Sequence, residues 1–164
     1  MLSPLHKIVS GGQTGVDRGA LDAALALGFP CGGWCPAGRR AEDGVIDPSY
    51  PLRETDSERY IVRTRENVVD SDATLIIYFG AIEGGTARTL AICREFHRPC
   101  LKLDALRYAP AQAAQLIRQF IVDHHIARLN VAGPRASKQA QAQAYAEATI
   151  KWLLQAKPSK DADA

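Results

Sequence analysis

Lys7-Ile8-Val9-Ser10 runs directly into Gly11-Gly12-Gln13-Thr14-Gly15, and Val16-Asp17-Arg18-Gly19-Ala20 follows without a break. The first four residues read as a short buried strand, which the glycines end at once. Val16, Ala20, Ala23, Ala24 and Leu27 then recur at helical spacing, and Gly28 stops the helix. Strand, glycine turn and helix in that order open a βα unit. Glycines let a chain turn sharply and bring its N–H groups close to a ligand. The helix start behind them offers unpaired N–H groups and the positive end of its dipole, an environment that suits phosphate. The alternative is a tight strand-to-helix turn with no ligand. Three glycines, a serine and a threonine within Ser10 to Gly15 weigh toward the ligand.

Outward from this unit, strand and helix signals alternate. Phe29 to Gly32 reads as a weak second strand. Residues 33–60 lose all periodicity and carry Pro36, Pro48 and Pro51 with Gly38 and Gly44. An irregular segment that long inside a compact domain is functional or disordered, and its charged residues favour function. Thr64 is expected to cap a short helix over Thr64-Arg65-Glu66-Asn67. Ala73 to Phe79 is a continuous apolar strand of the kind covered on both faces. Gly80, Gly84 and Gly85 follow it, then a helix from Thr86 to Phe96 and a strand from Pro99 to Leu103. Pro110 starts a helix with Leu116, Ile117, Phe120 and Ile121 on its apolar face. Arg128 to Ala132 is the last strand. Tyr145, Thr149, Trp152 and Leu153 mark one face of the closing helix.

This alternation predicts an α/β fold, a Rossmann-like three-layer αβα sandwich with a mainly parallel sheet. Residues 1–156 are expected to form a single ligand-binding domain, and residues 157–164 a flexible tail. If the sheet builds outward and then reverses, the loops after Lys7–Ser10 and Ala73–Phe79 flank one crevice at the carboxyl ends of the strands. Ligands bind in such crevices.

The bulk numbers agree. A chain of 164 residues is one ordinary domain, and 46% hydrophobic with 23% charged residues is usual for a globular protein. A formal net charge of +2 disfavours non-specific nucleic-acid binding, which needs a basic stripe. Cys31, Cys35, Cys93 and Cys100 are too few to staple such a domain, and their spacing does not match a zinc site. Met1 to Lys7 lacks the apolar core of a signal peptide, and no apolar run reaches membrane-spanning length. No membrane partner is therefore expected, and the expected location is cytoplasmic.

The glycine turn does not follow GxGxxG spacing, and the acid that would bind ribose hydroxyls about 20 residues on is replaced by Cys31-Gly32-Gly33-Trp34-Cys35. No Gly-Lys-Ser/Thr follows either. NAD chemistry and ATP hydrolysis are disfavoured. A second loop, Ile82-Glu83-Gly84-Gly85-Thr86-Ala87-Arg88-Thr89, again brings backbone N–H groups to a helix start. Thr86 serves there as a cap or as a ligand contact. In the irregular segment, Gly38-Arg39-Arg40-Ala41-Glu42-Asp43 offers two arginines to grip phosphate or carboxylate, and two acids to orient them or to bind ligand hydroxyls. A solvated charged loop is the plainer reading. Trp34 either stacks on a base or packs in the interior. Arg135, behind Gly133-Pro134, is expected at the crevice rim and ranks above Arg63 and Arg88. No G-x-S-x-G elbow is present.

Ser10 to Ala20 and Gly33 to Gly44, together with Arg63-Thr64-x-x-Asn67-Val68, Ser71 to Leu75, Gly84-Gly85-Thr86 and Asn130 to Arg135, resemble the family named "putative molybdenum carrier". The resemblance runs from about Lys7 to Leu153. That family is similar to the molybdenum-cofactor carriers and, more remotely, to the Lonely Guy or lysine-decarboxylase-like proteins. It implies a Rossmann-like fold, a homo-oligomer, and a phosphorylated pterin (molybdenum cofactor) or a nucleotide as ligand. With the loop readings, the candidate ligand-binding set is Gly11, Gly12, Gln13, Thr14, Gly15, Asp17, Arg18, Gly38, Arg39, Arg40, Glu42, Asp43, Gly84, Gly85, Thr86, Thr89 and Arg135. The Lonely Guy enzymes place a catalytic glutamate three residues after the threonine of their glycine motif. Thr89 stands at that position here.

Three functions follow. A carrier holds the ligand between two glycine loops. A nucleoside 5'-monophosphate phosphoribohydrolase would need a carboxylate from elsewhere, with Glu42, Asp43 and Glu83 as candidates. A nucleotide sensor would need a separate partner. The absent glutamate favours the carrier.

Overall fold

The computed structural model describes residues 4–155. The expected tail, and the domain boundary at residue 156, lie outside them. In chain order the elements are β1 (Lys7–Val9), α1 (Val16–Ala26), β2 (Cys31–Cys35), β3 (Arg40–Ala41), β4 (Gly44–Val45), β5 (Leu52–Glu54), α2 (Tyr60–Val69), β6 (Ala73–Tyr78), α3 (Gly84–Glu95), β7 (Cys100–Asp104), α4 (Pro110–His124), β8 (Arg128–Ala132) and α5 (Ala142–Gln155).

Six strands form one sheet in the order β5-β2-β1-β8-β6-β7, and every pairing in it is parallel. β3 and β4 make a separate antiparallel hairpin. The fold is thus the α/β, Rossmann-like sandwich that the alternation predicts. The chain starts at β1, builds outward through β2 and β5, crosses to β6 and β7, and returns to insert β8 between β1 and β6. This reversal opens the crevice at the carboxyl ends of β1, β8 and β6.

Strand periodicity assigns the two faces of the sheet. Ile8, Leu75, Ile77, Leu129 and Val131 point into the main core with α1, α4 and α5, where Ala20, Ala24, Ile117, Ile121, Ala146 and Ile150 are fully buried. The opposite face carries α2 and α3, joined by a smaller cluster of Val68, Ile92 and Cys93. On that face Thr74 and Asn130 are register neighbours, and the Asn130 Nδ2 donates to Thr74 Oγ1 at 3.2 Å. This buried polar pair sits beneath the crevice.

Several boundaries differ from the expectation, each for a local reason. The second strand begins at Cys31 rather than Phe29, because the Phe29 N–H still donates to Ala24 O at 2.9 Å as the chain leaves α1. The irregular stretch holds the hairpin and the edge strand β5, elements of two or three residues that show no periodic signal. Helix α2 starts at Tyr60, so Thr64 is interior and its hydroxyl donates back to Tyr60 O at 2.9 Å. Helix α3 starts at Gly84 behind Glu83, which makes Thr86 its third residue and not its cap. Leu116 and Trp152 are exposed, so the true core stripes of α4 and α5 run beside them, through Ala113 and Ile117 and through Ala146 and Ile150.

Candidate functional site

A cavity of about 520 Å³ opens where the strand order reverses. Gly11, Gln13 and Asp17 line it from the loop after β1 and the start of α1. Glu83, Gly84, Gly85, Thr86 and Thr89 line it from the loop after β6 and the start of α3. Asn130 to Arg135 close the back, and Tyr60, Arg63 and Asn67 of α2 form the remaining wall. The two glycine loops therefore flank one crevice, as the alternation predicts.

The first loop is closed by its own side chains. The Gln13 N–H donates to Asp17 Oδ2 at 3.2 Å, the Thr14 N–H to Gln13 Oε1 at 3.0 Å, and the Val16 N–H to Pro134 O at 3.2 Å. These acceptors take N–H groups that the sequence offers to phosphate. Gly15 has φ of 83°, and a Cβ there would lie 2.4 Å from Pro134 O and 2.9 Å from Ala136 N. Its glycine makes room for the protein's own backbone. Asp17 is buried beside Arg63 (Oδ2 to Nη1, 3.8 Å). Burial pushes its carboxyl above the usual range, against the pull of Arg63 and the Gln13 N–H.

One polar atom in this loop stays open. Gln13 Oε1 accepts from both Thr14 N and Glu42 N, which fixes the amide orientation and leaves Nε2 as a donor. Gln13 is 6% exposed, and its Nε2 has no hydrogen-bond partner among the described residues. A buried donor without an acceptor is costly unless something else supplies one.

The charged residues of the irregular segment mostly hold the protein together. Glu42 accepts from the Thr14 hydroxyl, from the Ser137 N–H at 3.1 Å and from the Ser137 hydroxyl at 2.6 Å. Thr14 Oγ1 in turn accepts from Ala136 N at 3.1 Å. Partial burial acts to raise the Glu42 carboxyl, but the bonds from Ser137 and Thr14 hold it below its usual value. Arg18 makes a forked pair with Asp43 at 2.5 and 2.7 Å and donates to Gly12 O at 3.1 Å. Arg39 folds back over its own loop and donates to the carbonyls of Ile46, Leu52, Asp47 and Tyr50 at 2.8–3.2 Å. Gly12, Thr14, Gly15, Arg18, Gly38, Arg39, Arg40, Glu42 and Asp43 do not line the cavity, although the sequence reading places them at the ligand. Glu42 and Asp43 are committed to latches and so are poor substitutes for a catalytic glutamate. Trp34 is pinned by Asp70, to which its indole N–H donates at 2.6 Å.

The second loop is open. Neither helix has a side-chain cap, but the first N–H of α1 is taken by Pro134 O, and no acceptor of that kind meets Gly84, Gly85 or Thr86 among the described residues. Nothing lies within 4 Å of a Cβ built on Gly84 or Gly85. Gly84 needs glycine for its φ of 55°, but no positive φ explains Gly85. Thr86 is buried at the cavity wall. The Thr89 hydroxyl donates to Gly85 O at 3.1 Å, a helix-internal bond.

Tyr60, Asn67 and Asn130 line the cavity but escape the sequence reading as ligand contacts. Asn130 left a usable signal, a polar residue inside an otherwise apolar central strand. Tyr60 left none, since its importance comes from the neighbours the fold brings. The guanidinium carbons of Arg63, Arg40 and Arg135 lie 5.2, 5.3 and 5.5 Å from its ring centroid.

With the geometry in place, the similarities to other proteins become interpretable. Residues 8–154 match the model of the circularly permutated YpsA SLOG family. The crystal structure of a protein named "Putative molybdenum carrier protein", from Syntrophus aciditrophicus SB, is 44% identical and superposes with a TM-score of 0.89. The match covers 92% of this chain and 96% of that one. No curated protein matches. The molybdenum-carrier resemblance carried by the two long glycine motifs is borne out.

Proposed function

We propose that this chain, which belongs to the circularly permutated YpsA SLOG family, binds and carries a phosphorylated small ligand in the crevice between its two glycine loops. The similar protein from Syntrophus is named a molybdenum carrier, which points to molybdenum cofactor or molybdopterin as one ligand, with a nucleotide as the other. The observation that carries the reading is the uncapped α3 start facing the same cavity as the unpartnered Gln13 amide. A phosphate at Gly84, Gly85 and Thr86 would meet helix N–H groups and the positive dipole end. Gln13 Nε2 would find its acceptor on the ligand. Arg135, Arg88 and Lys138 line the same cavity and supply opposing charge. A volume of about 520 Å³ suits a nucleotide-sized molecule, and the polar sheet face at Asn67 and Asn130 offers donors and acceptors to a heterocycle.

No helix among the described residues is long and apolar enough to cross a membrane. The family resemblance further supports a homo-oligomer. Calorimetry with molybdopterin and with nucleoside monophosphates tests the binding, and native mass spectrometry of freshly purified protein gives subunit number and carried mass together. Failure of every one of these ligands to bind overturns the proposal.

A second reading is hydrolysis of a nucleotide N-glycosidic bond, favoured by Asp17 and Glu83, carboxylates that line the cavity although Thr89 is not one. Free base released from a nucleoside monophosphate would establish it, and its absence across the common bases would sink it.

A further inference from the structure

We propose that Tyr60 and the three arginines around it form a second anion subsite, so that the ligand class is a molecule with two phosphate-type groups. This rests on the reading that the cavity takes a phosphorylated ligand, and it adds where a second charge goes. The arginines come from three separate segments. Arg40 lies on the β3 hairpin, Arg63 on α2, and Arg135 in the loop after β8. All three guanidinium carbons approach one ring within 5.5 Å of its centroid. A tyrosine face attracts cations, but it does not offset the mutual repulsion of three of them.

The acids nearby leave a surplus. Arg63 is balanced by buried Asp17 at 3.8 Å, and its Nη1 is spent on Gly11 O at 3.0 Å. Arg135 faces Glu42 at 3.9 Å, but the oxygens of Glu42 are already engaged by Thr14 and Ser137. The Arg40 guanidinium has no ion pair or hydrogen bond among the described residues, and its guanidinium carbon lies 5.3 Å from the Tyr60 ring centroid. Tyr60, Arg63 and Arg135 line the cavity whose other wall is the α3 start. A guanidinium with unused donors at the edge of such a cavity grips a phosphate by its planar fork. One anionic group then sits at α3 and the second at the Tyr60 cluster, gripped by Arg135 from the cavity wall and by Arg40, which does not itself line the cavity, from beside the Tyr60 ring.

Calorimetry with AMP, ADP and adenosine 3',5'-bisphosphate tests this on the full chain and on Arg40→Gln. Arg40 is exposed on a short hairpin, so the variant is expected to fold, and its melting curve checks that. The expected result is that at least one two-phosphate probe binds tenfold or more tighter than AMP. Arg40→Gln removes that gain while AMP affinity stays within about twofold. Arg135→Gln gives a second, independent loss of the gain. The two diphosphorylated probes separate neighbouring from sugar-spaced phosphates, and a gain for either supports the subsite. Equal affinity for all three probes, or an Arg40→Gln loss as large for AMP as for the others, overturns the subsite alone. Failure of every probe to bind overturns it together with the adenine-nucleotide form of the reading beneath it, and molybdopterin binding then shows whether the carrier function survives.

Discussion

The loops after β1 and β6 look alike in sequence and are opposites in structure. Both are glycine-rich, both lead into a helix, and both edge the same cavity. Ahead of α1 the protein supplies its own acceptors, with Asp17, the Gln13 amide and Pro134 O meeting the N–H groups of Gln13, Thr14 and Val16. At the start of α3 it supplies none through a cap, and the glycines face open space. A glycine-rich helix start is thus a binding site only when the fold leaves its N–H groups unspent. The first loop builds a wall, and the second stands open to the cavity.

The strongest break of this contrast is Gly15→Ala. The new Cβ would collide with Pro134 O at 2.4 Å in a left-handed backbone that alanine resists. A destabilisation of about 3 kcal/mol is expected in urea melts. If the variant melts like the parent, the first loop is not held by its contact with the 134–136 backbone. Next in size is Arg39→Met, which strips four carbonyls of their shared donor. About 2 kcal/mol is expected, since several charge-assisted bonds are lost at a partly solvated site. Ligand affinity should change little, which calorimetry on the same variant would read. A large loss of affinity with unchanged stability would restore Arg39 to the ligand.

The two carboxylates of the first wall carry opposite pH signatures. Glu42→Gln is expected to cost about 1.5 kcal/mol near neutral pH, as a charged acceptor for Ser137 and Thr14 becomes neutral. Because the folded Glu42 carboxyl sits below its ordinary value of 4.5, the parent's advantage is full above that pH and fades as pH falls through the lowered value. Asp17 runs the other way. Burial raises it above 3.8, so its contribution is present below that pH and declines as pH rises through the raised value. Asp17→Asn should therefore compare worst with the parent in acid and improve as pH rises. Parallel urea melts from pH 3 to 8 would show two difference curves of opposite slope. Curves of the same slope would mean that one carboxylate is not in the environment described.

The order of these effects also explains what could be read in the sequence. β1, α1 and β6 were legible because periodic apolar burial imposes a pattern several residues long. β3, β4 and β5 were not, since strands of two or three residues impose none. Arg39 and Arg40 are adjacent and chemically identical, yet one is spent on backbone carbonyls and the other is not. Only the path of the loop decides that. The closure of the first loop did leave a trace. Asp17 in the first turn of α1 is an acid placed to fill a helix start from within. Gly11 to Gly15 invites a phosphate reading, and that acid takes one of the N–H groups, that of Gln13, on which the reading draws.

The smallest effect on stability is the most diagnostic for function. Gly85 sits in the first turn of α3, with no positive φ and no atom within 4 Å of a built Cβ. Nothing in the protein demands glycine there. Alanine is the better helix former by up to about 1 kcal/mol in a helix interior and less in a first turn. Gly85→Ala should therefore leave the urea midpoint unchanged or slightly raised. If the open helix start receives a phosphate, the added methyl stands where that group must approach the Gly85 N–H. Affinity for a phosphorylated ligand should then fall about tenfold, or roughly 1.4 kcal/mol. Stability and affinity would move in different directions at this glycine, while at Gly15 the stability loss is primary. A Gly85→Ala variant that binds as tightly as the parent would mean that the second loop is open for some reason other than its ligand.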